Sequence, residues 1–114
     1  MESQFRLEVR SAGRAEVITV RGELDLASAP ALEKELERAS ELGPELLLLD
    51  LSELDFMDST GLSILVKAHQ QATDAGREFA LVRGPQQVQR LLTLTGVADR
   101  LTLIDTPEEL LGES

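Results

Sequence analysis

Apolar and polar positions alternate at the start of this chain, and apolar positions recur at helical spacing further on. Phe5, Leu7 and Val9 alternate with Arg6, Glu8 and Arg10, the period-two pattern of a half-buried strand. Ser11-Ala12-Gly13-Arg14 reads as a turn. Residues 15–20 read as a second strand, with Ala15, Val17 and Thr19 on one face and Glu16, Ile18 and Val20 on the other. Both faces are partly apolar, and the β-branched content of Val17, Ile18, Thr19 and Val20 supports the strand. The two strands are expected to form a hairpin.

Gly22-Glu23-Leu24-Asp25-Leu26 closes the second strand and opens a loop. Ser28 or Ala29 then leads to Pro30 near a first helical turn. Leu32, Leu36 and Ala39 recur at helical spacing until Gly43-Pro44 stops the helix. Residues 46–51 are apolar except for Asp50. A strand covered on both faces has this pattern, as does a short buried helix; length and flanking breakers favour the strand. A second helix begins at Ser59 or Thr60, carries Leu62, Leu65, Val66 and His69 in its stripe, and ends at Gly76. Phe79, Leu81 and Val82 form another short strand. Gly84-Pro85 starts a third helix with Val88, Leu91 and Leu92 inward, and Gly96 ends it. Leu101, Leu103 and Ile104 make a last short strand, and residues 107–111 a terminal helical turn or short helix. The order β-β-α-β-α-β-α-β-α predicts an α/β fold. Single helices between strands argue for parallel pairing in one sheet, with the hairpin as an antiparallel edge.

Composition narrows the partners. The 114 residues suit one domain, 1–114. Eleven basic and 21 acidic residues leave a net charge of −10, which disfavours a nucleic-acid partner and an anionic membrane surface. There are no cysteines, so disulfides, thiolate metal sites and cysteine nucleophiles are excluded. Met1-Glu2-Ser3-Gln4-Phe5-Arg6 is charged and lacks the apolar core of a signal peptide. No apolar run approaches the roughly 20 residues that span a bilayer. A cytoplasmic, unanchored chain is expected.

The candidate chemistry lies where the leucine-rich strand runs through Leu51-Ser52-Glu53-Leu54-Asp55-Phe56-Met57 into Asp58-Ser59-Thr60-Gly61. The strand leads into a short acidic loop, with Phe56 and Met57 as its anchors, one or both of them alternatively exposed for contact, and with Glu53 and Asp55 facing solvent. Free N–H groups and the dipole of the following helix favour an anion there. Two readings of Ser59 stand side by side. In one it caps the helix while Asp58 steadies the turn. In the other its hydroxyl is an exposed phosphate acceptor. Thr60 is the rival acceptor. Gly61 leaves space through which another chain or a nucleotide could approach the first turn. It lies in no phosphate-binding loop, because no further glycines and no Lys-Ser/Thr accompany it. Asp25 and Asp58 flank Ser59 if the sheet sets both strand ends on one side; ordinary loop capping by Asp25 is the alternative. His69, the one histidine, reads as a packed or edge-of-core imidazole. It stands about 15 Å from Ser59 by helical rise, so the two make no hydrolase pair. No second His or Cys offers a metal cluster.

These residues resemble the STAS-domain anti-sigma factor antagonists of bacteria, along nearly the whole chain. Gly22-Glu23-Leu24-Asp25, the strand at 46–51 and Asp55-Phe56-Met57-Asp58-Ser59-Thr60-Gly61-Leu62 carry the resemblance. It implies a STAS fold, a mixed sheet with helices packed mainly on one side. It implies that Ser59 is phosphorylated by a partner anti-sigma factor that is itself a serine kinase of the histidine-kinase-like ATPase type. The unmodified antagonist binds that kinase and releases its sigma factor; phosphorylation blocks binding, and a phosphatase of the PP2C type restores it. Asp25, Asp58, Ser59, Thr60 and Gly61 are implied as the partner-binding residues. The chain itself is expected to be no enzyme, to need no cofactor and to be a monomer or weak dimer. The alternatives are a STAS scaffold or subunit of a larger signalling or lipid-transport assembly, and a small enzyme using the acidic loop.

Overall fold

Residues 5–111 are described by the structure, a computed structural model. Residues 1–4, on which most of the expectation about the N-terminus falls, lie outside them. The strands are β1 (Arg6–Ala12), β2 (Ala15–Leu24), β3 (Leu46–Asp50), β4 (Leu54–Met57), β5 (Glu78–Val82) and β6 (Thr102–Ile104). The helices are α1 (Ala29–Glu41), α2 (Ser59–Asp74), α3 (Gln86–Leu94) and α4 (Glu108–Leu111), with a 3-10 turn at Val97–Asp99.

The sheet has the order β1-β2-β3-β5-β6, with β1 antiparallel to β2 and the other neighbours parallel. The hairpin and the helical crossovers are those the sequence pattern predicts. The exception is β4. The segment read as a continuous acidic loop contains a strand that pairs parallel with the far end of β2, along the same edge that β3 occupies nearer its start. Ten residues in β2 make room for both partners. The chain jogs between them at Ser52, whose amide and hydroxyl both donate to Asp50 Oδ1 at 2.9 and 2.7 Å. On the β2 side the register shifts between Gly22 and Glu23. Gly22 has φ 92°, a left-handed conformation that costs glycine little, and the irregularity turns the strand end toward β4.

Helices α1, α2 and α3 pack on one face of the sheet. Ile18, Val20, Leu47, Leu49, Phe79 and Leu81 of the strands meet Leu32, Leu36, Leu65, Val88 and Leu92 of the helices. On the opposite face Val17, Leu46, Leu48, Ala80, Val82 and Ile104 form a second, smaller cluster, against which Leu110 and Leu111 of α4 pack. Residues 46–49 are therefore buried on both faces, which is why that run shows no polar alternation. The predicted division of β2 also holds: Ala15 and Val17 face the small cluster, Ile18 and Val20 the large one. His69 is half-buried with its ring 6.3 Å from that of Phe79, an edge-of-core position as expected.

Candidate functional site: a helix start presented by two strand ends

The parallel register sets Leu24 beside Met57, so β2 and β4 end together. The Asp58 amide donates to the Leu24 carbonyl at 3.2 Å and locks the two chain exits side by side. Asp25 and Asp58 therefore follow adjacent strand ends, the condition on which their proximity to Ser59 depended.

Both carboxylates are engaged by the backbone. Asp58 is extended (φ −106°, ψ −170°), and its Oδ1 accepts from the amides of Thr60 at 2.9 Å and Gly61 at 3.2 Å. It is the N-cap of α2. The reading in which Ser59 caps the helix is thus corrected: a carboxylate in extended backbone reaches the orphan amides of the first turn, whereas Ser59 is already helical. Asp25 Oδ1 accepts from the amides of Ala27 and Ser28, both at 3.1 Å. The buried Ser28 hydroxyl accepts from the Asp25 amide at 2.9 Å and donates to the Glu23 carbonyl at 2.8 Å. Asp25 closes the turn into α1, so the loop-capping alternative describes its hydrogen bonds. Neither aspartate bonds Ser59.

Ser59 is consequently exposed, and its hydroxyl has no hydrogen-bond partner among the described residues. It lies at the N-terminus of a 16-residue helix, where the dipole favours added negative charge. Thr60, one position on, is half-buried and lines a shallow groove of about 240 Å³ between the starts of α1 and α2, with Leu26, Pro30, Ser63 and Ile64.

Gly61 is buried, and the space around it is not open. A Cβ there would lie 2.7 Å from Met57 Cγ, 2.8 Å from Leu24 Cγ and 2.9 Å from Leu24 Cδ2. The expected approach path for another molecule is occupied by the chain's own core. Glycine lets the first turn of α2 seat directly on the ends of β2 and β4, and so sets the height at which Ser59 is displayed.

Of the two expected anchors Phe56 and Met57, one is buried and the other exposed, the alternative left open for them. Met57 is 5% exposed, and Phe56 is 46% exposed. Leu26, 75% exposed beside Asp25, is an apolar side chain that the sequence reading did not single out. Its one signal is an apolar residue in the short loop between a strand end and Pro30. Glu23, Asp25, Asp55 and Asp58 make this end of the molecule acidic. Arg21, one residue before Gly22, faces both oxygens of Glu8 at 3.2 Å and Glu53 at 3.2 Å. The Glu8 hydrogen bond, helped by Glu53, holds its guanidinium above the ordinary arginine value. Its charge is thus committed to tying β1 and the β3–β4 jog to β2. Among the described residues no cluster of His, Asp or Glu could hold a metal ion, and no helix is long and apolar enough to cross a membrane.

This architecture is that of a known family. Residues 6–110 match the STAS domain, and the chain belongs to the STAS-domain family. Its mixed sheet, with helices mainly on one face, is the STAS fold. The chain is 31% identical to the anti-sigma-B factor antagonist of Listeria monocytogenes over 97 residues, 85% of each protein. It is 38% identical to osmosensory protein A of Mycobacterium tuberculosis over 77 residues; that match covers 68% of this chain but only 48% of the relative's length. In solved structures it is similar to an anti-sigma factor antagonist from Mycobacterium paratuberculosis, with a TM-score of 0.86 at 28% identity, covering 93% of this chain and 90% of that one.

Proposed function

We propose that this chain is an anti-sigma factor antagonist whose docking on its partner is switched by phosphorylation of Ser59. One observation carries the reading: Asp58 caps α2 and leaves the Ser59 hydroxyl exposed and unbonded at the helix start. The acceptor can be modified without breaking the cap. The partner is an anti-sigma factor with serine kinase activity of the histidine-kinase-like ATPase type. Ser59 Oγ attacks the γ-phosphorus of the kinase's ATP, the bond to ADP breaks, and the hydroxyl proton passes to a base of the kinase. This chain supplies an acceptor, not a catalyst, and a phosphatase of the PP2C type reverses the change.

The electrostatics support a switch. A phosphate adds about −1.5 to −2 charges. The dipole of α2 offers only about half a positive charge in return. The addition falls among Glu23, Asp25, Asp55 and Asp58, beside the exposed apolar side chains Leu26 and Phe56. A partner surface matched to uncharged Ser59 between those apolar contacts would have to desolvate a dianion to dock. Asp25, Asp58, Thr60 and Gly61 serve this face chiefly through the turns they hold.

The test is capture of the partner from native cell extract with the unmodified chain, followed by ATP and magnesium and mapping of the modified residue. Phosphate on Ser59 and release of the partner are expected. Phosphate on Thr60, or retention of the partner by the Ser59-modified chain, would overturn the assignment.

A further inference from the structure

We propose that β1 is a self-association edge, along which two copies of this chain pair antiparallel about a twofold axis at Val9. Among the described residues β1 is hydrogen-bonded on one side only, to β2. The hairpin closes with Ala12 opposite Ala15 across Gly13 and Arg14. Gly13 has φ 60° and Arg14 does not have positive φ, which fits a two-residue type II′ turn. In such a hairpin the closing pair bonds inward. The alternation of an antiparallel ladder then sends the backbone groups of Ser11, Val9 and Leu7 outward. Outside the β1–β2 ladder no backbone bond among the described residues engages these three.

Exposed edges are commonly guarded by charge against chance pairing. Here the guard is self-complementary. Glu8, Arg10 and Arg6 share the sheet face of Thr19, Val17 and Arg21, and Val9 lies on the opposite face, 38% exposed. A twofold axis at Val9 sets Glu8 opposite Arg10 of the second copy, twice, and Val9 opposite Val9. Moving the axis to Glu8 or to Arg10 sets like charges opposite each other, and moving it to Leu7, which also sets Glu8 opposite an arginine, overlaps only residues 6–8 of β1; charge and overlap together select Val9, the centre of the strand. Arg10 has no ion pair among the described residues, whereas Glu8 holds Arg21, which holds Glu53. The second copy's Arg10 would complete a row of alternating charge across the joined sheets. β4 lies along the other edge of β2, so the Ser59 helix start stays open in the dimer. The two starts then point to opposite ends of one continuous sheet. This inference does not rest on the proposed function.

A seven-residue edge is a small interface, so the dimer is weak and concentration-dependent. Sedimentation equilibrium of the full chain tests it at about 0.15 M salt, where a Debye length near 8 Å screens the net charge of each copy. From roughly 10 μM to 1 mM the mean mass should rise from 12.5 kDa toward twice that value. Arg10→Glu, at an exposed and unpaired position, should weaken association at least tenfold with the circular dichroism unchanged. Val9→Pro removes an outward N–H donor from each copy while leaving the β1–β2 ladder in place, and should abolish it. A chain that stays monomeric to about 1 mM overturns the proposal. So does a dimer that survives both substitutions, which would place the contact elsewhere.

Discussion

Gly61→Ala tests whether the display of Ser59 depends on direct seating of a helix on two strand ends. The added methyl would lie 2.7–2.9 Å from three side-chain atoms of Met57 and Leu24. Both residues are buried, at 5% and 0% exposure. Leu24 Cγ is a branch point and Met57 Cγ lies mid-chain, so neither can swing aside like a flexible tip. Overpacking of this kind costs about 1–3 kcal/mol, and three simultaneous contacts place it in the upper half of that range. Against this, replacing a helical glycine by alanine gains about 0.4–1 kcal/mol from the unfolded chain. The overpacking wins, with a net loss of about 1–2.6 kcal/mol. For 114 residues an unfolding entropy of about 2.1 cal/mol/K per residue converts this to a fall in Tm of roughly 4–11 °C. Urea titration followed by circular dichroism should show a lower midpoint at unchanged slope. Phosphate incorporation at Ser59 should also slow, because the first turn must lift or slide to make room. An unchanged or raised Tm would refute the reasoning, since it would mean that helix propensity outweighs the contacts and that the seating is loose.

Other substitutions separate the cap from the acceptor. Asp58→Ala should cost about 1 kcal/mol in chemical denaturation through loss of the cap on Thr60 and Gly61, while Asp58→Asn, an equally good cap, should cost far less. Ser59→Ala should leave stability within about 0.5 kcal/mol and abolish phosphate incorporation as read by intact mass, because the hydroxyl supports nothing in the fold. Ser59→Asp should weaken partner binding in a pull-down, less completely than phosphate, because one carboxylate carries less charge. Arg77→Ala should lower stability by about 1.5–3 kcal/mol in thermal or urea melts, because its guanidinium donates to the Pro44 carbonyl at 2.8 Å and to the Ser40 hydroxyl and carbonyl at 3.2 and 3.3 Å.

Most of the fold was legible because its elements carry clean periodicities. The residues of α1, α2 and α3 that pack inward are those at helical spacing, and the run at 46–49 announced a strand buried on both faces. β4 was hidden for a physical reason. Leu-Asp-Phe-Met is four residues long, carries a charge and exposes two of its four side chains, so no period-two signal develops. What makes it a strand is a partner far earlier in sequence and a glycine irregularity in that partner. The cap was ambiguous because Asp58, Ser59 and Thr60 are all residue types that cap helices. Only the backbone conformation at Asp58 separates them. Gly61 could be flagged as a close approach, but whether the approaching atoms come from outside or from the chain itself depends on tertiary packing. Leu26 needed burial information, since one apolar residue in a loop is ordinary in sequence.

The Leu24 carbonyl receives the Asp58 amide, and Gly61 rests on the side chains of Leu24 and Met57. The site is therefore assembled from segments that are synthesised well apart. A nascent chain cannot present the serine correctly until the polypeptide has emerged through α2 and β2 has found its distant neighbour. Copies that end before α2, or in which β2 and β4 have not paired, lack this geometry. On the proposed function, acceptance of phosphate at Ser59 would therefore report that β2, β4 and α2 have already assembled.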